Sequence, residues 1–520
     1  MIGMIWLFAA GCFSSYEDGV DPDGDGVPWP QDCDNTNPHI YPGAAELCDL
    51  IDQDCDGETW DPDDLLGMVT VSNSEDYPGA LRSTINAGLA EAGAGGALCV
   101  APGMYREAIT LEVPVTLLSL AGAAETAIQP EDSSTQTMRI LAGGAGSTVR
   151  GFTLTGGGTP GGEGAPSACG GGLMVKGDAT LESLNITGNT AYEGAGLCVL
   201  AGDVTLTDGV ISNNSSGGTG GGVAVWLDSA DPQPAHLTMN DVRVELNQSA
   251  QSGGGIYVET QTLTANLVVV EGNIITGEGN GAGLAVVAGA TVSLTDVRLW
   301  SNSFESDGTA AGLYASPENQ DEGAPHPTVH GARVDIRDNR AASCGALMCD
   351  GCELAMTGLV VAGNQGSNSA VVYVYENTAS LDQLTVVGND GQPFAGGLEL
   401  YVLGEQRASI RRATFFQNTG GAPLIDIRAN TEDGLVAQMS AFEEVHHAQN
   451  TPEFDPSAYS EDTTGFFTGC EPAFVSLAGA PTTWDLHLTD ADRCLTTGEV
   501  ELGAYGGANG QAWPAESAWP

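Results

Sequence analysis

The chain has 520 residues and carries 68 Asp and Glu against 15 Lys and Arg, a formal charge of −53, with Lys176 its one lysine. Such a charge repels phosphate backbones, which excludes nucleic acid as a partner, and it attracts multivalent cations. With 42% hydrophobic and only 16% charged residues, disorder throughout is excluded as well. A compact domain of this length would usually divide, whereas a solenoid need not, because each repeat packs only on its neighbours.

In chain order, an apolar run over residues 2–10 leads into Ala9-Ala10-Gly11-Cys12. These residues resemble the signal and lipobox of bacterial lipoproteins. The resemblance implies export, with residues 1–11 removed as a signal peptide. It also implies that Cys12 is acylated as the new N-terminus, so that the membrane is met through a lipid anchor. Phe13, rather than Asp, follows it, which implies the outer membrane or cell surface. No later stretch reaches the ~18 apolar residues of a membrane span.

Residues 12–66 form a small acidic metal-binding module. Between 13 and 64 there are sixteen Asp or Glu and no Lys or Arg. Asp21, Asp23, Asp25, Gly26 and Asp32 reproduce the spacing of a calcium loop, and Asp52, Asp54, Asp56, Gly57 and Asp63 reproduce it again. Carboxylates so spaced converge on one ion only if the chain turns sharply at the glycine. Flanking prolines (Pro22, Pro28, Pro30, Pro62) argue against an EF-hand pair. The stretch from Asp32 through Pro42-Gly-Ala-Ala-Glu-Leu-Cys48 to Gly57 also resembles the MopE-like metal-binding motif of bacterial surface proteins, a family linked by name to copper. Oxygen-rich ligation suits calcium; Cys33, Cys48 and Cys55 would favour a soft metal such as copper only if reduced. Calcium is therefore the expected ion and copper the alternative.

Residues 67–96 read as a linker and capping helix, with Leu81, Ile85 and Leu89 on one face of a helix over 78–92. The run Cys99-Val-Ala-Pro-Gly-Met-Tyr-Arg-Glu107 resembles the first rung of many β-helix proteins. From about 137 to 430 two elements repeat. One is a small-residue run before an aliphatic strand, as in Gly170-Gly-Gly-Leu-Met-Val175 and Gly253-Gly-Gly-Ile-Tyr-Val258. The other is an apolar residue three positions before asparagine, found nine times from Ile186/Asn189 to Phe415/Asn418. Alternate apolar residues point inward, glycines allow bends with positive φ, and stacked asparagines form a hydrogen-bonded ladder. The fold class expected is all-β: a right-handed parallel β-helix over 97–450, resembling the glycine-rich branch of that superfamily, with 451–520 as a C-terminal cap.

Removing Cys12 leaves eleven cysteines, so at least one stays unpaired if the rest form disulfides. Cys470 with Cys494 is the first pairing to expect. Cys344, Cys349 and Cys352 read as one disulfide plus a core thiol, with Cys349 in an inward slot. His446 and His447 read as part of an exposed turn. Arg333, Arg337 and Arg340, with Arg411 and Arg412, are the densest basic group, yet no Asp cluster accompanies them in the sequence.

Two rungs carry insertions at one corner. From strand anchor to asparagine the Val223 rung takes 24 residues and the Leu313 rung 26, against 16 to 20 in most others. The loops supply Asp228, Asp231 and His236 in one case, and Glu318, Asp321, Glu322 and His326 in the other. Three rungs apart, they stand about 15 Å from each other at the inter-strand spacing of ~4.8 Å. Insertions on one solenoid face often form a binding face. These features together suggest a non-catalytic cell-surface protein that binds calcium and uses its β-helix for adhesion, holding an extracellular glycan or surface partner. The alternative is a polysaccharide lyase, hydrolase or epimerase on the same scaffold.

Overall fold

The computed structural model describes residues 20–159 apart from 61–64 and 66, then 169–317, 324–367, 371–375, 378–391, 396–402, 408–416 and 418–420, with short strands at 425–429, 435–437, 474–476 and 485–488. Parallel strands coil into a β-solenoid of about 11 turns, with one short helix. Each rung begins with a short strand, such as Val223–Val225, Ile256–Glu259 or Leu284–Val287. A long strand follows, such as Ala235–Glu245, Thr262–Glu271 or Thr291–Trp300. Register is in step from rung to rung: Val223 faces Ile256, which faces Leu284, and Val244 faces Val270, which faces Leu299.

The corners are single left-handed residues. Gly170, Gly194, Gly220, Gly253 and Gly281 have φ between 53° and 71°, as the repeated glycine predicts, and Ala310 and Cys344 occupy the same place in later rungs. A second row bends each long strand at its middle, where Asp208, Asp241, Leu267, Asp296 and Arg333 all have φ between 53° and 58°. Few residues tolerate this region without cost, and Asp is among them.

The interior is a column of Val, Leu and Ile, fully buried from Val71 to Leu400. Along one corner the expected asparagine ladder is present in full: Asn189, Asn214, Asn247, Asn273, Asn302, Asn339, Asn364, Asn389 and Asn418 are all buried. Asn273 shows the pattern. Its Nδ2 donates to Asn302 Oδ1 at 3.0 Å and to the Val244 carbonyl at 2.9 Å. Its Oδ1 accepts from the Asn247 amide and Nδ2 at 2.9 and 3.1 Å. Both donors and both lone pairs are used, which is what burying an amide requires.

The helix is shorter than expected. It spans Ile85–Ala92, is capped by Thr84, and receives Glu107, whose carboxylate accepts from the amides of Ile85 and Asn86 at 2.7 and 2.9 Å. Leu81 lies outside it and is exposed, because Arg82 is drawn into a parallel bridge with Val71 and the Leu81 amide donates to Thr70 Oγ1. Parallel stacking also starts earlier than residue 97: strand Met68–Val71 pairs in register with Ala97–Val100, and Ile85 packs into the core over this first rung. At the other end the last described coil pairing is Ile410 with Ala437, between strands Ala408–Phe416 and Leu435–Ala437, while Phe474–Ser476 and Asp485–Leu488 pair antiparallel in a separate two-stranded sheet.

Candidate metal centre

In the acidic module the two loops fold alike. Gly26 and Gly57, at the sixth position of each, have φ of 98° and 93°, the sharp turn that the spacing demands. The Gly26 and Gly57 amides donate back to Asp21 Oδ2 and Asp52 Oδ2 at 3.0 and 2.9 Å. In the first loop one carboxylate oxygen each of Asp21, Asp23 and Asp25 lies within 4.8 Å of the others. Asp32 is fully buried beside them. Gly24 and Gly26 amides hold the Asp21 carboxyl below the usual carboxylate range, against some desolvation. Asp23 is pushed up, first by desolvation and then by the charges of Asp25 and Asp32.

The second cluster differs from the expectation. It consists of Glu46, Asp52 and Asp54, whose oxygens also converge within 4.8 Å. Asp56 is exposed and is not among the converging carboxylates, and Asp63 lies outside the described residues. Glu46 is buried; its Oε1 accepts from the amides of Gln53 and Asp54 at 2.8 and 3.0 Å. Desolvation and then the charges of Asp54 and Asp52 raise its carboxyl. The twelve-residue template misses Glu46 because it precedes the first loop position; its signal was the Gly-Ala-Ala-Glu segment shared with the MopE-like motif.

Asp23 Oδ2, Asp25 Oδ2, Asp32 Oδ2 and Glu46 Oε2 are buried atoms with no hydrogen-bond partner. Unpaired carboxylate oxygens gathered out of water are costly unless a cation meets them. The cysteines have no thiolate to give: Cys33 is bonded to Cys55, and Cys48 to Cys99. Those bonds tie the loops to each other and to strand Ala97–Val100. Cys48 and Cys99 pack with Leu65, Leu118 and Leu120 on the outside of the first rungs. The module is thus folded against the coil.

Two further disulfides occur among the described residues, Cys169–Cys198 and Cys349–Cys352. Cys349 does fill an inward slot, and among the described residues the buried thiol outside a disulfide is Cys344, at a corner, where its Sγ donates to the Leu347 carbonyl. Cys12, Cys470, Cys494, His446 and His447 lie outside the described residues.

At the inserted corner, Asp228 turns inward to Lys176, with Nζ 2.7 Å from Oδ2. Asp231 is exposed. His236 opens a strand and its Nε2 lies 3.0 Å from Thr264 Oγ1, while His326 Nδ1 is hydrogen-bonded to the Gly351 carbonyl. Glu318, Asp321 and Glu322 lie outside the described residues. Of the basic group beside which the sequence shows no Asp cluster, three arginines have carboxylate partners: Arg333 pairs with Asp296 of the preceding rung, Arg337 with Asp335 and Arg340 with Asp338. Stacking, not sequence proximity, supplies Asp296.

Residues 32–59 match the family described as "Putative metal-binding motif", named for copper-binding MopE. No curated protein matches the chain. Among solved structures the chain is similar to pectate lyase Pel9A at 12% identity, covering 82% of this chain and 90% of that one, with a TM-score of 0.34. It is similar to Dettilon tailspike protein at 11% identity over 72% and 71% of the two chains, with a TM-score of 0.39. It is also similar to a pectin methylesterase from Aspergillus niger at 17% identity over 50% and 89%, with a TM-score of 0.26.

Proposed function

We propose that the chain is a non-catalytic calcium-binding protein of the cell exterior, whose carboxylate module clasps the first rungs of a β-helix that presents a surface to an extracellular glycan or surface partner. The observation that carries the calcium reading is the pair of carboxylate clusters with buried, unpartnered oxygens on Asp23, Asp25, Asp32 and Glu46. A hard divalent cation takes oxygen ligands and neutralises the mutual repulsion of such groups. Copper, the metal in the matched family's name, gains no thiolate here because the module's cysteines are in disulfides. Disulfides also suit an oxidising compartment, in keeping with export and with an outer membrane anchor at Cys12. Cys12→Ala is expected to move the protein from membrane to soluble fractions; retention in the membrane would refute the anchor.

Calorimetry on the full chain tests the metal. Calcium is expected to bind at two sites, the Asp23→Asn/Asp25→Asn variant to lose one and Glu46→Gln/Asp54→Asn the other. Affinity is expected to fall toward acidic pH, because the ligands must be deprotonated. Absence of calcium heat alongside tight copper binding would transfer the module to copper.

A second reading, a lyase, hydrolase or epimerase acting on polysaccharide, draws on the Asp296–Arg333 pair, whose side chains are 12% and 25% exposed on the outer surface. The neighbouring Asp335 and Arg337 are buried and paired with each other, which fits a structural role better. Product release from a glycan panel would establish the enzyme.

A further inference from the structure

The short-strand sheet turns every second side chain away from the coil's interior. In its later rungs Leu347, Cys349, Val372 and Val374 fill the core, and the residues between them have no place in it. Those positions carry an aromatic cluster. Tyr373 and Tyr375 lie with ring centroids 6.1 Å apart and planes 12° from parallel. Tyr401, in the next rung, stands 6.0 Å from Tyr373 and 5.5 Å from Tyr375. Tyr314 continues the file two rungs back, through the register Tyr314–Met348–Tyr373. All four rings are half-buried. Carboxylates interleave with them: Asp350 is the register partner of Tyr375, Glu399 is that of Tyr373, and Glu399 Oε1 accepts from the Tyr401 hydroxyl. His326, held to the Gly351 carbonyl, brings the end of the longer corner loop to the edge of this face.

We propose that this face, from Tyr314 to Tyr401, is a binding site for an uncharged polysaccharide lying along the coil axis, its sugar rings stacked on the tyrosines and its hydroxyls donating to Asp350 and Glu399. The proposal rests on the reading of the coil as a glycan-binding surface, and it names the site and the glycan class. Partly exposed tyrosines offer an apolar body with a polar rim, which matches the apolar C–H face and hydroxyl edge of a sugar ring. Rungs repeat every ~4.8 Å, so the platform extends along the axis as a polymer does. A chain of charge −53 repels uronate-rich or sulfated polymers, which leaves the neutral ones. A proline-rich peptide also suits aromatic platforms, but prolines lack the N–H donors that Asp350 and Glu399 would accept.

The test is calorimetric titration of the full chain with neutral glucan, mannan and galactan oligosaccharides, with polygalacturonate, and with a proline-rich peptide. Wild type is expected to bind at least one neutral oligosaccharide and neither polygalacturonate nor the peptide. Tyr373→Ala and Tyr401→Ala are each expected to lower the association constant at least tenfold with an unchanged melting curve, whereas Tyr373→Phe, which keeps the ring, stays within about threefold of wild type. Neutral-glycan binding that survives Tyr373→Ala/Tyr401→Ala overturns the site while leaving the coil a glycan binder. Binding of polygalacturonate or the peptide in place of neutral glycans overturns the ligand class. Failure of every glycan overturns both this proposal and the reading beneath it.

Discussion

Lys176 is the chain's one lysine, and it is spent on holding a loop rather than on meeting solvent or a partner. Its ammonium lies 2.7 Å from Asp228, whose side chain is only 3% exposed. Desolvation raises the Asp228 carboxyl, but Lys176 and the amides of Ala230 and Asp231 outweigh it, and the net shift is downward. A carboxyl lowered on folding stabilises the fold above its unfolded value near ~3.9, and that stabilisation is lost as pH falls through the folded value. Lys176→Met is therefore expected to strand a buried carboxylate and cost about 3 kcal/mol, read from chemical denaturation at neutral pH. The deficit against wild type should shrink as acidification protonates Asp228, since a neutral carboxyl no longer needs the ammonium. None of this was legible in the sequence, where Asp228 read as a free ligand in an inserted loop. Fifty-two residues separate the pair, and only the stacking of rungs joins them. The convergence of Asp21, Asp23 and Asp25, by contrast, follows directly from the sequence, because these carboxylates come from one continuous loop. Glu46 was not assigned, since its place in the second cluster depends on how the chain returns from Glu46 to Asp52.

At the scale of the element, the asparagine corner explains why the repeat was so plain. Each amide must satisfy both neighbours as well as itself, so no other side chain of similar size fills the position: Asp lacks the donors and Leu lacks both functions. Asn273→Ala is expected to leave the Asn247 amide and the Val244 carbonyl without partners. At ~1–3 kcal/mol for each such orphan, the loss is about 3 kcal/mol or more. Hydrogen exchange checks the location, since the Asn247 amide should lose protection before amides several rungs away. The long strands were less legible than their corners. Val360, Ala362 and Val387 face away from the core yet are fully buried, and so the second halves of the strands Glu353–Ala362 and Thr378–Val387 lose the alternation of a half-exposed sheet that their first halves keep. The capping helix was overextended for a related reason: Leu81 has helical spacing to Ile85, but its backbone is already committed to the first rung.

For the whole molecule, nine stacked amides and an unbroken aliphatic column make stability a property of neighbouring pairs of rungs. That has a mechanical consequence. Successive ladder asparagines are separated by 25, 33, 26, 29, 37, 25, 25 and 29 residues, so each rung stores its own fixed length of chain. Pulled from its ends, the coil should lengthen in unequal strides, with a 25-residue rung releasing about 85 Å at ~3.4 Å per residue. The 37-residue rung that carries the longer corner loop should give the longest stride, about 125 Å by the same measure. Under drag the coil would then yield by releasing one rung at a time, rewinding when slack returns. Single-molecule force spectroscopy would record that sequence of strides as a barcode of rung lengths, and a single rupture of the entire coil would contradict it.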